Sequence, residues 1–116
     1  MRPIKFRAWD EDNKRMFTPQ RIDADGDNKV YDGYGCYDMP VMQFTGLTDK
    51  NGKEIYEGDI LIDEANRKRI VVFDYGAFKV MWNNDNPTQL NLYPLNKHWE
   101  VVGNIHENPE LLENKE

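Results

Sequence analysis

Apolar and polar residues alternate along this chain in many short runs, separated by clusters of Gly, Asp and Asn, and this pattern predicts strands joined by tight turns. Helical periodicity is scarce. In the opening run Ile4, Phe6 and Ala8 fall on one face of a strand and Lys5, Arg7 and Trp9 on the other. Asp10-Glu11-Asp12-Asn13 supplies a polar turn, and Arg15-Met16-Phe17 returns as a second strand that ends at Thr18-Pro19. From Asp23 to Pro40 the chain is rich in Asp, Gly and Tyr, with a weak strand signal only at Lys29 to Tyr31. Residues 23–40 are therefore expected to form the longest irregular stretch. Val41 to Phe44 reads as a strand, Asp49-Lys50-Asn51-Gly52 as a turn in which Gly52 takes a positive φ, and Glu54-Ile55-Tyr56 as the returning strand of a hairpin.

The next stretch is the clearest sheet: strands at Asp59 to Asp63, Arg69 to Tyr75 and Ala77 to Trp82 form a meander. Ala65 to Lys68 and a turn at Gly76 link them. Ile70-Val71-Val72-Phe73 is apolar on both faces, which suits the central strand of a small barrel or sandwich. Its neighbours alternate, with Ile60 and Ile62 on one face of the first strand and Phe78, Val80 and Trp82 on one face of the third. A polar loop follows from Asn83 to Pro87, then an irregular apolar segment carrying Leu90, Leu92 and Leu95. Trp99 to Ile105 forms a last strand with Trp99, Val101 and Ile105 inward. One short helix closes the chain, with Asn108 as N-cap and Pro109 at its first position.

Three blocks of this pattern resemble the YopX family of phage and prophage proteins. They are Ile4-Lys5-Phe6-Arg7-Ala8-Trp9-Asp10, the long central run from Gln43-Phe44-Thr45-Gly46-Leu47-Thr48 through Asp49-Lys50-Asn51-Gly52 to Glu57-Gly58-Asp59-Ile60, and Val101-Val102-Gly103-Asn104-Ile105-His106-Glu107-Asn108-Pro109-Glu110-Leu111-Leu112. The resemblance spans nearly the whole chain, and the central block is the specific one. It implies an all-β, mainly antiparallel fold of two lobes: an N-terminal β lobe over 1–53, within which the irregular loop 23–40 matches no family motif, and an SH3-like small barrel over 54–112; the charged tail at 113–116 is expected from its composition to fray. It also implies a mobile-element origin and self-association. It carries no catalytic residues to transfer.

Composition narrows the function. The 116 residues fit one small domain, and 39% hydrophobic residues with 12% aromatics are enough to drive folding. The formal net charge of −6 opposes a broad phosphate-binding surface, because nonspecific nucleic-acid affinity comes from Lys and Arg displacing counterions. Cys36 is the only cysteine, so no disulfide forms within the chain, and a reducing cytoplasm is the expected compartment. No apolar stretch reads as a secretory signal or a membrane span.

Most candidate chemistry has a structural explanation. Asp23, Asp25 and Asp27 have the oxygen atoms for calcium but not the spacing of an EF-hand, since Gly26 stands fourth where that loop needs its glycine sixth. His98 and His106 flank the strand from Trp99 to Ile105, which sets them about 27 Å apart at ~3.4 Å per residue, too far to share an ion. Cys36 has no histidine near it in sequence to act as base. No metal and no cofactor are expected, and no catalytic constellation stands out. Two surfaces remain. Tyr31, Tyr34 and Tyr37, interleaved with glycines, have the composition of a protein-binding loop, with a second copy of the chain or a host or phage protein as partner. Arg67-Lys68-Arg69 is the only basic run, and with Tyr75 or Trp82 for base stacking it offers the alternative of a nucleic-acid-binding small barrel. The overall acidity ranks the noncatalytic interaction module first.

Overall fold

The computed structural model describes residues 4–19, 21–23, 29–31, 36–83 and 86–112. The expected tail at 113–116 lies outside them. The chain divides into two compact units, Ile4–Gln43 and Phe44–Glu116, with the boundary inside one strand.

In the first unit β1 (Phe6–Asp10) pairs antiparallel with β2 (Arg15–Phe17), Ala8 facing Phe17, and on its other side with the start of β6 (Val41–Thr48), where Phe6 faces Gln43 and Ala8 faces Val41. Because β1 is paired on both edges, its end is closely covered: Ala8, Trp9 and Met42 are all buried. Ile4, expected to share the face of Phe6 and Ala8, precedes the strand and is exposed. The irregular stretch expected at 23–40 is the larger departure. It contributes to a three-stranded antiparallel sheet of β3 (Arg21–Asp23), β4 (Lys29–Tyr31) and β5 (Cys36–Asp38), in the order β3-β4-β5. Strands of three residues are too short for alternation to declare itself, so turn-forming composition dominated the sequence signal.

In the second unit the rest of β6 pairs with β7 (Glu54–Tyr56). The register shifts between Phe44 and Thr48, where Gly46 takes a φ of 86° and the ladder is interrupted. The Thr45 hydroxyl fills the gap, donating to the Ile55 carbonyl at 2.8 Å and accepting from the Leu47 N–H at 3.1 Å. Next come β8 (Asp59–Ile62), β9 (Lys68–Asp74), β10 (Ala77–Asn83), β11 (Asn86–Asn91), a 3-10 turn at Leu95–His98, and β12 (Glu100–Asn104). They form one antiparallel sheet in the order β11-β10-β9-β8-β12, a half-barrel whose register shifts between Met81 and Asn83 and again between Val101 and Gly103. Its concave core is Ile55, Leu61, Val71, Val80, Leu92, Trp99 and Val101. Each such aliphatic side chain contributes about 1.5–3 kcal/mol by leaving water.

The meander and its central strand match the sequence pattern, and four details do not. Asn86 and Pro87, expected in a loop, and Leu90, expected in an irregular segment, lie on β11, an edge strand, where a proline lacking its N–H is tolerated, while Asn83 ends β10 and residues 84 and 85 lie outside the described residues. On β8 the buried set is Ile60 and Leu61 rather than Ile60 and Ile62, because the strand is covered on both faces. Phe73, at the far end of β9, is 52% exposed. The closing helix is a single 3-10 turn, Pro109–Leu112. Asn108 does not act as its side-chain cap: its Oδ1 reaches back to accept the Asn104 N–H at 3.2 Å. Gly103 permits this approach, since a Cβ there would stand 2.5 Å from Asn108 Oδ1.

Candidate functional site

The basic run is split by the fold. Asp63 ends β8 and turns the chain: its Oδ1 accepts the N–H groups of Ala65 and Arg67, each at 2.9 Å, and Asn66 crosses the turn with a φ of 61°. Its Oδ2 takes Arg67 Nε at 3.0 Å and Arg69 Nη2 at 3.3 Å. Arg69 is buried, with its guanidinium 5.3 Å from the Trp99 ring centre, so it belongs to the end of the core. Arg67 remains half exposed and Lys68 exposed. Burial works to raise the Asp63 carboxyl, but the Arg67 and Ala65 N–H donors and the two guanidiniums outweigh it and hold it below its ordinary value.

The same device recurs at several other strand ends. Asp49 is buried in the β6–β7 turn. Its Oδ1 accepts Asn51 N–H at 2.8 Å and Lys53 N–H at 2.9 Å, and its Oδ2 accepts the N–H of Val101, on β12, at 2.9 Å. Burial again pushes this carboxyl up, and the three donors with the Lys53 charge bring it below normal. Asp59 Oδ2 accepts Tyr56 N–H at 2.8 Å. Asn104 Oδ1 accepts from His106 and Glu107, and Asp10 takes both the backbone and side-chain N–H groups of Asn13. These oxygens cap backbone donors. The Phe44 to Asp59 block, the most recognisable in the chain, thus has the turn chemistry its residue types require, with positive φ at Gly52 and Gly58.

The exposed side chains with contact chemistry cluster at the β9–β10 hairpin. Asp74 pairs with Ala77, leaving Tyr75-Gly76 as a two-residue turn with φ of 50° and 78°. Both positive values mark a type I′ turn, whose first position favours Asn, Asp or Gly over a bulky ring. Tyr75 is nonetheless there and 91% exposed, 5.4 Å from the Lys79 ammonium. Phe73 stacks edge-on against its cross-strand partner Phe78, with ring centres 4.9 Å apart, and keeps half its surface in water. The sequence reading named Tyr75 only as a stacking accessory and gave Phe73 to the core. The signal it missed is a tyrosine directly before the glycine of a two-residue turn.

The other candidates fare unevenly. Tyr31 and Tyr37 lie on adjacent strands, opposite Cys36 and Val30 respectively, and Tyr34 is outside the described residues. Asp25 and Asp27 are outside them too, and Asp23 ends β3. His98 ends the 3-10 turn before β12, its Nδ1 3.6 Å from Glu64 Oε1 at the surface, and His106 follows β12, so the two flank one strand as the sequence pattern predicts. Among the described residues no three His, Cys, Asp or Glu side chains gather as a metal site, and no helix is long and apolar enough to cross a membrane. In the first unit Phe6, Ile22, Met39 and Val41 line an open recess of about 520 Å³. Its described lining side chains are all apolar, with none to orient a substrate.

Residues 5–113 match the family model described as YopX protein. The chain belongs to the YopX family. Its fold is similar to that of protein EF1440 from Enterococcus faecalis, with a TM-score of 0.73 and 30% identity over 97% of this chain and 100% of that one. It is also similar to YopX from Bacillus subtilis, with a TM-score of 0.59 and 21% identity over 97% and 98% of the two chains. No curated protein matches.

Proposed function

We propose that this chain is a noncatalytic interaction module of phage or prophage origin, working in the host cytoplasm, that holds a protein partner or a further copy of itself through the aromatic β9–β10 hairpin. The observation that carries this reading is Tyr75: a ring 91% exposed in a left-handed backbone position where Asn would be easier. Tyrosine and phenylalanine supply large contact area at small entropic cost. The buried carboxylates around the half-barrel are occupied with backbone donors, which favours binding over acid–base catalysis. The scaffold reads as an SH3-like barrel, supported by a sheet whose last strand lies beside its first and by a 3-10 turn just before that last strand. Tyr31, Tyr34 and Tyr37 form a second contact region in this reading.

Tyr75→Asn provides a clean test, because it suits the turn and is expected to stabilise the fold by about 0.5–1 kcal/mol through relief of the left-handed strain. Affinity capture from cells with an active phage, with nuclease added, should retain a protein partner or further copies of the chain with the wild type and lose them with Tyr75→Asn. A parallel Tyr31, Tyr34 and Tyr37 triple variant measures the second region. If Tyr75→Asn, folded and at least as stable, captures as the wild type does, the hairpin assignment is wrong.

A further inference from the structure

Asn51 is the one asparagine of this chain followed by glycine, and the fold has put that pair at the outer end of the β6–β7 turn. Both residues are exposed, and the space around Gly52 Cα is open, with nothing within 4 Å of where a Cβ would stand. The Asn51 side chain is engaged: Nδ2 donates to Glu100 Oε1, on β12, at 2.9 Å. The Gly52 N–H donates to the Asp49 carbonyl at 3.0 Å. We infer that Asn51-Gly52 is a site of spontaneous backbone-assisted deamidation, that Glu100 retards it, and that the reaction converts a tie between the β6–β7 turn and β12 into a repulsion.

The chemistry needs only water. The deprotonated Gly52 nitrogen attacks Asn51 Cγ, the new C–N bond closes a five-membered imide, the Cγ–Nδ2 bond breaks, and ammonia leaves with the proton that Gly52 gave up. Water then opens the imide at either carbonyl, giving aspartate or isoaspartate, with no change in oxidation state. Glycine allows the attack because it has no side chain to hinder its nitrogen and the widest backbone freedom. The fold works against it in two places, since the nucleophile is held by Asp49 O and the leaving amide by Glu100. Reaction therefore runs through opened turns, and weakening either bond should speed it.

The product matters because this turn is stitched to the core. A carboxylate at position 51 would meet Glu100 where an amide N–H now meets it, and like charges repel. Isoaspartate also adds one backbone carbon between residues 51 and 52. That displaces the Lys53 N–H from Asp49 Oδ1, and the other oxygen of Asp49 holds Val101.

The test follows intact mass and peptide maps of the folded protein over days at pH 6 and pH 8, for wild type, Glu100→Ala and Glu100→Gln, each confirmed folded by its thermal transition. Expected is a gain of about one dalton that maps to residue 51 ahead of every other asparagine and rises with pH. Glu100→Ala should react about 3- to 10-fold faster, the worth of one ordinary, solvent-exposed hydrogen bond. Glu100→Gln, which keeps an acceptor oxygen, should lie close to wild type. Modification at residue 51 no faster than at the other asparagines, or an Ala variant no faster than wild type, overturns the proposal.

Discussion

Replacing Asp49 by Asn removes one oxygen and puts an N–H in its place with almost no change of shape. In the wild type three backbone donors converge on the carboxylate, two on Oδ1 and one, from Val101, on Oδ2. An amide oxygen can serve the Asn51 and Lys53 donors, and its NH2 then confronts the Val101 N–H in a buried place. One charge-assisted hydrogen bond is lost, a buried donor is left without an acceptor, and the two surviving bonds lose the help of the charge. Together these cost about 2–4 kcal/mol. Against the ~5–15 kcal/mol stability of a typical domain that is a large fraction, visible as a fall of roughly 1–2 M in the urea midpoint with the slope unchanged. The pH dependence identifies the cause. The wild-type carboxyl sits below its ordinary value of 3.8, so its contribution is complete above that value and is lost as pH falls through the folded-state pKa. Asp49→Asn has no such group, and the stability difference between the two proteins should shrink below about pH 4. A loss under ~1 kcal/mol at pH 7, or a difference that persists undiminished at pH 2, would refute the view that this carboxylate holds the β6–β7 turn to β12.

Asp63, lowered for the same reasons, predicts that wild-type unfolding shifts to lower urea as pH falls below about 4, and that Asp63→Asn flattens that profile. Gly103→Ala should cost about 1–2 kcal/mol by displacing the Asn108 oxygen from the Asn104 N–H, and in an Asn108→Ala background the same change should cost much less; additivity of the two would contradict the contact. Arg69→Ala leaves Asp63 with one guanidinium and should destabilise by about 2–4 kcal/mol, whereas Arg67→Ala with Lys68→Ala stays within ~1 kcal/mol. Only that surface pair can therefore test the nucleic-acid alternative: if it holds, low-salt binding weakens in the double variant and its salt slope falls by about 1–2.

What was legible in the sequence follows from run length. β8, β9 and β10 carry four to seven residues of strong apolar signal, and the meander with its central strand was read correctly from it. Asn51-Gly52 was read as a turn from glycine chemistry, and Gly52 holds a positive φ. Of the three-residue strands, β4 matches the weak signal at Lys29 to Tyr31, while β3 and β5 could not be read, because the local composition of Asp, Gly and Tyr favours turns and only the pairing partner makes a strand of them. β11 was hidden for a related reason: Asn86-Pro87 opens it, and its ladder to β10 is a long-range fact. The candidate surfaces were harder still. Arg67, Lys68 and Arg69 look alike in a charge count, and strand alternation sends Arg69 inward to Asp63 and Trp99 while leaving Lys68 outside. Phe73 looks like core because it is apolar, yet it lies beyond the end of the buried stripe.

Two economies in this fold bear on its function. A domain with 21 acidic side chains would seem rich in catalytic material, but the buried carboxylates at positions 10, 49, 59 and 63 each accept from a backbone N–H near a strand end, and each of those N–H groups is a donor the turn would otherwise leave unmet. Acidity is thus the structural material of the turns. Aromatic surface is used the other way. Trp9, Phe44 and Trp99 are buried, as large rings in a small domain should be, and Phe73 and Tyr75 are not, although burial would stabilise the fold and Asn at position 75 would relax it. Under the proposed function, a residue that costs stability where it stands and contributes nothing to the core is retained for a contact outside the chain. That reasoning is what the Tyr75→Asn experiment puts at risk, since it predicts a protein that folds better and binds worse.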